Sequence, residues 1–224
     1  MLETINLFLD DYGSLLWQGT IETLLMVTIS TLIAYAVGIP LAVICKITEP
    51  GGLKQQAVTN AVLGWVINMG RSIPYIILMV VLIPVSRFIV GTSLGVVGAI
   101  VPLSIAAAPF VARLVENSFS EIHPGRIEAA QAFGASTFQI ITKVFLRESL
   151  PSLVRSLAIT YITLIGYSSI AGALGAGGLG DIAIRYGYYR YQDEVMIVTV
   201  VILIIMVQVV QSACDLVARK MDKR

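Results

Sequence analysis

Four long stretches of the chain carry no charged side chain. They contain 23 residues between Glu22 and Lys46, 25 between Arg87 and Arg113, 25 between Arg155 and Asp181, and 20 between Glu194 and Asp215. An apolar helix of about 18–20 residues crosses roughly 30 Å of hydrocarbon. The pattern therefore predicts four transmembrane helices, at about 20–45, 92–115, 153–174 and 195–216.

A fifth span is predicted over residues 57–86, in a region where Arg71 separates uncharged stretches of 16 and 15 residues. Each stretch is too short to cross alone, whereas the two together suffice for one tilted span. Pro74 and Pro84 predict kinks, because proline removes a backbone donor inside a helix. A re-entrant pair of helices also fits the length, although neither half carries loop residues for its tip. The expected fold class is an all-α polytopic membrane protein with five transmembrane helices.

The positions of lysine and arginine predict the orientation of the five spans. If the C-terminus is cytoplasmic, 11 basic residues lie inside and three outside, with Arg71 in the membrane. Cytoplasmic loops carry the excess of basic residues. We expect an external N-terminal segment at 1–18, a transmembrane domain at 19–217 with a long cytoplasmic loop at about 117–151, and a cytoplasmic tail at 218–224.

Composition excludes several classes of function. The chain is 57% hydrophobic and 13% charged with a net charge of +1, which leaves no basic surface for nucleic acid. The two cysteines, Cys45 and Cys214, do not make a disulfide framework. Because His123 is the single histidine and no lysine follows a glycine, a histidine metal site, a catalytic triad and a G-K-[ST] phosphate loop are excluded. We expect no catalytic residue, metal site or cofactor in this chain.

The loop at 117–151, called the coupling loop below, is predicted to contain two short helices. The first covers about 125–133, and Gly134 suits a left-handed cap at its end. Ser136 then caps the second helix, with Gln139 at the capping-box position. Phe138, Ile141, Val144 and Phe145 follow the spacing of one apolar stripe. Exposed apolar residues on a cytoplasmic loop indicate a docking surface, which we expect to include Phe138 and Ile141. A helix lying on the membrane surface is the alternative.

Within the coupling loop, Glu128-Ala129-Ala130 followed after three residues by Gly134 resembles the EAA loop of ABC-importer permeases. In that family nine further residues precede I-x-L-P, and here the corresponding residues are Val144-Phe145-Leu146-Arg147. Arg147 therefore departs from the family pattern at the proline position. This departure leaves the end of the second helix open, and Pro151 is an alternative stop.

The resemblance extends over residues 19 to 217. The segments 71–95, 100–117 and 166–188 are similar to the permeases of methionine-type importers in bacterial cytoplasmic membranes. The resemblance implies a type I ABC-importer permease fold, a second copy of the chain and two cytoplasmic ATPase subunits that bind ATP and Mg²⁺. It also implies an external substrate-binding lipoprotein that delivers methionine. The coupling residues carried over from the motif are Glu128, Ala129, Ala130 and Gly134.

Polar residues inside two predicted spans are candidates for a translocation path or gate. Arginine in mid-bilayer costs about 2.5–3.5 kcal/mol on insertion scales, so Arg71 is expected to face protein or water. One interpretation places it on the path with Asn68, Ser72 and Tyr75. The other has it pair with carbonyls freed by Pro74 or reach towards the cytoplasmic side. Tyr167 and Ser168 in the fourth span are expected to line the path, with hydrogen bonding between helices as the alternative.

The stretch Gly172–Gly180 contains G-x-G-x-x-G but follows a membrane helix, so a dinucleotide site is excluded. We expect these glycines to end the fourth span and to permit close packing and irregular backbone. The loop that follows has four tyrosines and two arginines. It is expected to form an interfacial aromatic belt, with contact to the delivering protein as the alternative.

Three rival functions remain at this level. A permease for another amino acid or small nutrient has the same architecture. A channel or secondary carrier is disfavoured because Arg71 is the one ionisable residue deep in the spans, whereas coupled carriers place such residues in several. A membrane-embedded enzyme is disfavoured by the absence of acids and histidines at depth.

Overall fold

The computed structural model describes residues 2–221, and among these residues the regular structure is helical, without a strand. The helices are α1 (Leu2–Thr48), α2 (Ala57–Ser72), α3 (Tyr75–Val81), α4 (Ile83–Val90), α5 (Gly95–Ser120), α6 (Pro124–Ala132), α7 (Thr137–Ile140), α8 (Leu146–Glu148), α9 (Leu150–Ala171), α10 (Gly178–Ile182) and α11 (Asp193–Met221). Wider π-helical turns cover Ile141–Phe145, Gly172–Ala176 and Ala183–Tyr188. The last three residues of the predicted tail, 222–224, lie outside the described residues.

Four helical segments are long and apolar enough to cross a membrane: Asp10–Thr48, Gly95–Ser120, Leu150–Ala176 and Asp193–Met221. Three of them contain the predicted spans 20–45, 153–174 and 195–216 in full, whereas Gly95–Ser120 begins three residues after the predicted start at 92 and ends five residues after the predicted end at 115. The largest difference is at α1, which begins at Leu2 rather than at residue 20. Hydropathy identifies the part of a helix that is apolar enough for hydrocarbon. The helix itself extends as far as its backbone hydrogen bonds continue.

The span predicted over 57–86 is not one continuous helix. α2 and α3 are bent by 100° at Ile73 and Pro74, and together they form either a broken fifth span or a re-entrant loop. Ile73 is extended, with φ −81° and ψ 123°, because the ring of a following proline disfavours helical backbone at the preceding residue. Pro84 lies in the first turn of α4, where no backbone donor is needed. The predicted kink at Pro74 is therefore a complete break.

The chain forms two compact units. The first contains the described residues up to Leu32 together with Pro74–Ile105 and Tyr161–Val210. Its fully buried side chains include Met26, Leu103, Leu164 and Leu179. Backbones approach closely at the glycine-rich segment: a Cβ on Gly172 would lie 2.4 Å from the Asp181 nitrogen, and one on Gly180 would lie 2.4 Å from the Ser169 Cα. Only glycine fits these positions without a shift of the backbone.

The second unit contains Ile33–Ile73, Ala106–Thr160 and the described residues from Gln211 onwards. Cys45, Ile67 and Ala112 form a buried cluster, against which Leu41 and Leu63 pack. Small residues again bring helices together, since a Cβ on Gly38 would lie 2.7 Å from a Val111 methyl. This unit holds the whole coupling loop and the part of the broken span that carries Arg71.

We expect Gly180→Ala to destabilise the protein, because the added Cβ has backbone 2.4 Å away. Overpacking of this kind costs about 1–3 kcal/mol. Gly166→Ala is the matched control, because nothing lies within 4 Å of a Cβ at this position in α9. Helix propensity predicts unchanged or slightly higher stability for this control. The midpoint of thermal unfolding of the purified proteins measures both effects. Equal midpoints for the two variants would show that the close contact contributes no stability.

Candidate functional site

The first helix of the coupling loop, α6, has defined ends. At its start the His123 Nδ1 accepts a hydrogen bond from the Gly125 nitrogen at 3.2 Å, and Pro124 occupies the first turn. At its end Gly134 has φ +76°, as predicted for a left-handed cap. The Ala135 nitrogen then donates to the Ala130 carbonyl at 3.0 Å. The sequence did not predict the capping role of His123.

Ser136 caps the second helix as predicted. Its hydroxyl accepts from the Gln139 nitrogen at 3.3 Å, while the Gln139 side chain accepts from the Ser136 nitrogen at 2.8 Å. The helix then widens into the π turn Ile141–Phe145 and ends at Glu148. Pro151 is therefore not the stop, since it lies in the first turn of α9.

The predicted apolar stripe of this second helix is not one buried face. Phe145 is 2% exposed and Phe138 is 73% exposed, with Ile141 half-buried. Ile140, which the stripe did not include, is buried instead. A π turn adds a residue to the helical repeat and changes which side chains share a face.

The outer side of the coupling loop is uncovered by the rest of the described chain. Glu128 and Ala129 are exposed and Ala130 is half-buried. Two aromatic side chains, Phe133 and Phe138, are 92% and 73% exposed. These five residues, together with Gly134, are called the coupling surface below. An exposed apolar surface of this kind is typical of a site of protein or membrane contact, and its role in docking stays a prediction.

Buried serines hold together the two ends of the coupling loop, and the sequence did not predict them. The Ser149 hydroxyl donates to the Ser118 carbonyl at 3.1 Å, and the Ser152 hydroxyl donates to that of Ser118 at 3.0 Å. Ser118 lies 3.5 Å from the Ser156 hydroxyl and itself donates to the Leu114 carbonyl. The last turn of α5 is thereby tied to the first turns of α9.

Two further contacts fix the loop between these ends. Phe119 stacks on Phe145 with ring centroids 5.5 Å apart. Arg126 of α6 forms an ion pair with Glu148 of α8. Both charged side chains are partly exposed, so the pair adds little stability by itself. Together with the serines, these contacts make α6 part of a stiff unit.

The structure places three predicted path residues on one face of α2. Asn68, Arg71 and Ser72 follow the spacing i, i+3, i+4, and all three are exposed. The Asn68 Oδ1 accepts from the Arg113 Nη2 at 2.9 Å, and the Ser72 hydroxyl donates to the Asn68 carbonyl at 2.8 Å. Arg113 is also paired with Glu116 at 2.9 Å.

The other three predicted path residues lie in the first unit. Tyr75 is 6% exposed and stacks on the half-buried Tyr167, with ring centroids 4.4 Å apart and parallel planes. Ser168 is buried and its hydroxyl donates to the Ile165 carbonyl at 2.7 Å. The structure thus brings Tyr75 and Tyr167 together. The role of these residues on a path stays a prediction.

The glycine-rich segment is held by the first helix. α9 ends at Ala171, as predicted from the glycines, and Gly175, Gly177 and Gly178 have positive φ. The Glu22 Oε2 accepts from the Gly178 nitrogen at 2.7 Å, and the Thr23 hydroxyl accepts from the Leu179 nitrogen at 2.9 Å. The sequence signal for this contact was a carboxylate at the very start of an uncharged span.

The loop after this segment exposes Tyr188, Tyr189 and Tyr191. Within it, Arg190 stacks over Tyr186 with its guanidinium carbon 4.5 Å from the ring centroid. These exposed rings suit either of the two predicted roles, the aromatic belt or the contact with a delivering protein.

Comparison with known proteins assigns the family. Residues 38–223 match the family described as binding-protein-dependent transport system inner membrane component. The chain is 50% identical over 212 residues to the probable D-methionine transport system permease protein MetI of Vibrio cholerae, covering 95% of this chain and 94% of that protein. It is 47% identical over 206 residues to the Haemophilus influenzae protein of the same name, covering 92% and 97%.

A chain of the MetNI methionine ABC transporter, solved in inward-facing conformations, superposes with a TM-score of 0.94 at 46% identity. The match covers 95% of this chain and 99% of that chain. Fold, helix order and sequence therefore agree over nearly the whole length. The chain belongs to the binding-protein-dependent transport system inner membrane components, and it is a multi-pass permease subunit of an ABC importer in the bacterial cytoplasmic membrane.

Proposed function

We propose that this chain is the permease subunit through which an ATP-driven importer moves methionine into the cell. The observation that carries the proposal is the match to the methionine transporter structure, at 46% identity over 95% of the chain. The curated relatives named as D-methionine permeases support the same substrate. Nothing in the site geometry selects methionine over other small amino acids, so sequence similarity carries the substrate assignment.

The working unit is a homodimer with the N-terminus outside and the C-terminus in the cytoplasm. Five helices, each about 10 Å wide, do not readily enclose a solvated passage, whereas ten do. Closed two-fold dimers are the commonest oligomers of identical chains. The bias of lysine and arginine supports the orientation, because 11 basic residues fall on the proposed cytoplasmic side and three outside.

The coupling surface receives the force of ATP hydrolysis. We assign ATP and Mg²⁺ to two partner ATPase subunits, against which Glu128, Ala129 and Ala130 dock. Small side chains permit close backbone approach, and the exposed carboxylate of Glu128 makes charge-assisted contacts. Phe138 and Ile141 extend the contact, and Gly134 sets the angle between the two loop helices. Closure of the ATPases then switches the dimer between inward and outward openings.

Specificity comes from outside the permease. A substrate-binding lipoprotein delivers methionine to the external face, so the path itself can be tolerant. The exposed polar face of Asn68, Arg71 and Ser72 suits a water-lined path, because lipid does not solvate an arginine or an amide. We also assign to the path or its gate Tyr75, Tyr167 and Ser168. Tyr167 is the most accessible of the three.

The proposed function is tested by ATP-dependent uptake of labelled methionine into proteoliposomes that contain this chain with its ATPase and binding protein. Glu128→Arg is expected to reduce uptake about tenfold or more and to reduce retention of the ATPase on purification, because it reverses a charge in the docking contact. Asp11→Arg, which reverses an exposed charge far along the chain from the coupling loop, is the control and should retain both.

Each outcome of this experiment is decisive. Uptake that persists without the ATPase would replace the importer with a carrier. Retention of the ATPase without methionine uptake would keep the assembly and reject the substrate. Equal uptake by Glu128→Arg and Asp11→Arg would remove Glu128 from the coupling surface.

A second prediction concerns the turn at Gly134. Gly134→Ala is expected to cost about 1–2 kcal/mol, because a Cβ is unfavourable at φ +76° even where space is open. Gly134→Asn is the control, because asparagine tolerates left-handed backbone better than alanine does. Thermal unfolding and ATPase retention are measured for both variants. If alanine retains the ATPase as well as glycine does, the left-handed turn is not what orients the coupling surface.

A further inference from the structure

α2 has two exposed faces of opposite character. One face is large and apolar and suits lipid. It consists of Val58, Val62, Trp65, Val66 and Met69, all at least 46% exposed. The other face carries small and polar residues at helical spacing, namely Ala61, Gly64, Asn68, Arg71 and Ser72. Nothing lies within 4 Å of a Cβ placed on Gly64, so this second face borders open space within the chain.

Arg71 is the one ionised group on this face. Within residues 10–221, whose side chains the structure describes, it makes no hydrogen bond and no ion pair. The side-chain oxygen of its neighbour Asn68 accepts a hydrogen bond from Arg113, and Arg113 forms an ion pair with Glu116. A guanidinium between two apolar half-spans needs water or an anion, because hydrocarbon stabilises neither its charge nor its five donors.

A second copy of this chain does not provide that anion from within its spans. The four uncharged stretches and the broken span contain no aspartate or glutamate. Glu22, at the outer end of the first stretch, already accepts from the Gly178 nitrogen. Glu116, at the end of α5, is paired with Arg113. The spans of this chain and of a second copy therefore offer no carboxylate to Arg71, so an anion that enters the path can bind it.

We propose that Arg71 binds the carboxylate of the amino acid during its passage through the permease. A planar guanidinium offers two parallel N–H donors that match the two oxygens of a carboxylate. The inference rests on the proposed function, since it takes an amino acid as the transported molecule. It adds to that function a transient site within the permease that recognises the backbone carboxylate and leaves the substrate side chain free.

The site is tested by ligand-observed saturation-transfer NMR on the complex of permease and ATPase without the binding protein. Three probes are compared: methionine, 4-(methylthio)butanoate, which keeps the carboxylate and lacks the ammonium group, and 3-(methylthio)propylamine, which keeps the ammonium group and lacks the carboxylate. The ATPase alone is measured in parallel, and its signal is subtracted. We expect methionine and the butanoate to bind, and the amine to bind about tenfold more weakly or less.

Variants test whether the Arg71 side chain causes the tighter binding of the carboxylate probes. Arg71→Met is expected to weaken binding of both carboxylate probes about tenfold and to remove their advantage over the amine. Arg71→Lys keeps the charge without the bidentate geometry and should lose less. Arg87→Met is the control, since this arginine is exposed at the end of α4 and donates to the Ser93 hydroxyl. It should bind all three probes as the unmodified protein does.

ATP-dependent methionine uptake by the same complexes, with binding protein added, separates this inference from the proposed function. If the unmodified complex takes up no methionine, both fail. If it takes up methionine but Arg71→Met binds the carboxylates as tightly as before, Arg71 serves a lipid headgroup or the fold, and the carboxylate site is rejected. Absence of any methionine signal from an active complex rejects it equally. At saturating loaded binding protein, Arg71→Met should also lower the maximal uptake rate with little change in half-saturation.

Discussion

Hydrocarbon provides no hydrogen-bond partners, and the rest of this structure follows from that constraint. Backbone groups must bond within helices, and side-chain hydroxyls must find acceptors close by. In the described helices, hydroxyls that donate to the carbonyl four residues before them include those of Thr20, Thr23, Thr31, Thr48, Ser118, Thr160 and Thr199. Where the backbone leaves the helix at the glycine-rich segment, the freed donors are satisfied by Glu22 and Thr23. Irregular backbone at membrane depth is thus tolerated because another helix supplies its partners.

Hydrogen bonds also define the ends and turns of the coupling loop. Its first helix is capped at the start by His123 and closed by the left-handed Gly134, and its second helix begins in a complete capping box. The buried serines tie the end of α5 to the start of α9. A segment whose ends and internal turns are all hydrogen-bonded has few ways to bend. In the proposed function, such a segment passes a movement of the ATPases to α5 and α9.

In the proposed function, the binding protein selects the substrate and the permease moves it across the membrane. A selective pocket for a thioether side chain requires an enclosed apolar cavity, and the exposed face of α2 offers an open polar surface instead. Such a face lowers the cost of moving a zwitterion through the membrane without retaining it. Arg71 is the exception on this face, because its guanidinium is the one group there that carries a charge, and we propose that it binds the substrate carboxylate in transit.

Sequence predicted the four long spans, a kink near Pro74, the glycine turn at Gly134 and the capping box at Ser136. Each depends on residues close together in the sequence. The spans follow from the length of an uncharged stretch, and the kink follows from the ring of proline. The turn follows from the missing Cβ of glycine, and the capping box from a pair of side chains at i and i+3. Sequence did not predict the start of α1, the buried face of the second loop helix, the serine contacts or the hydrogen bond from Gly178 to Glu22. Phe145, at the end of the π turn, stacks on Phe119 of α5, and Glu22 meets Gly178 across 156 residues of chain. Local chemistry determined the helices and their caps, whereas only the tertiary structure decided which side chains satisfy one another, because that choice depends on proximity in space.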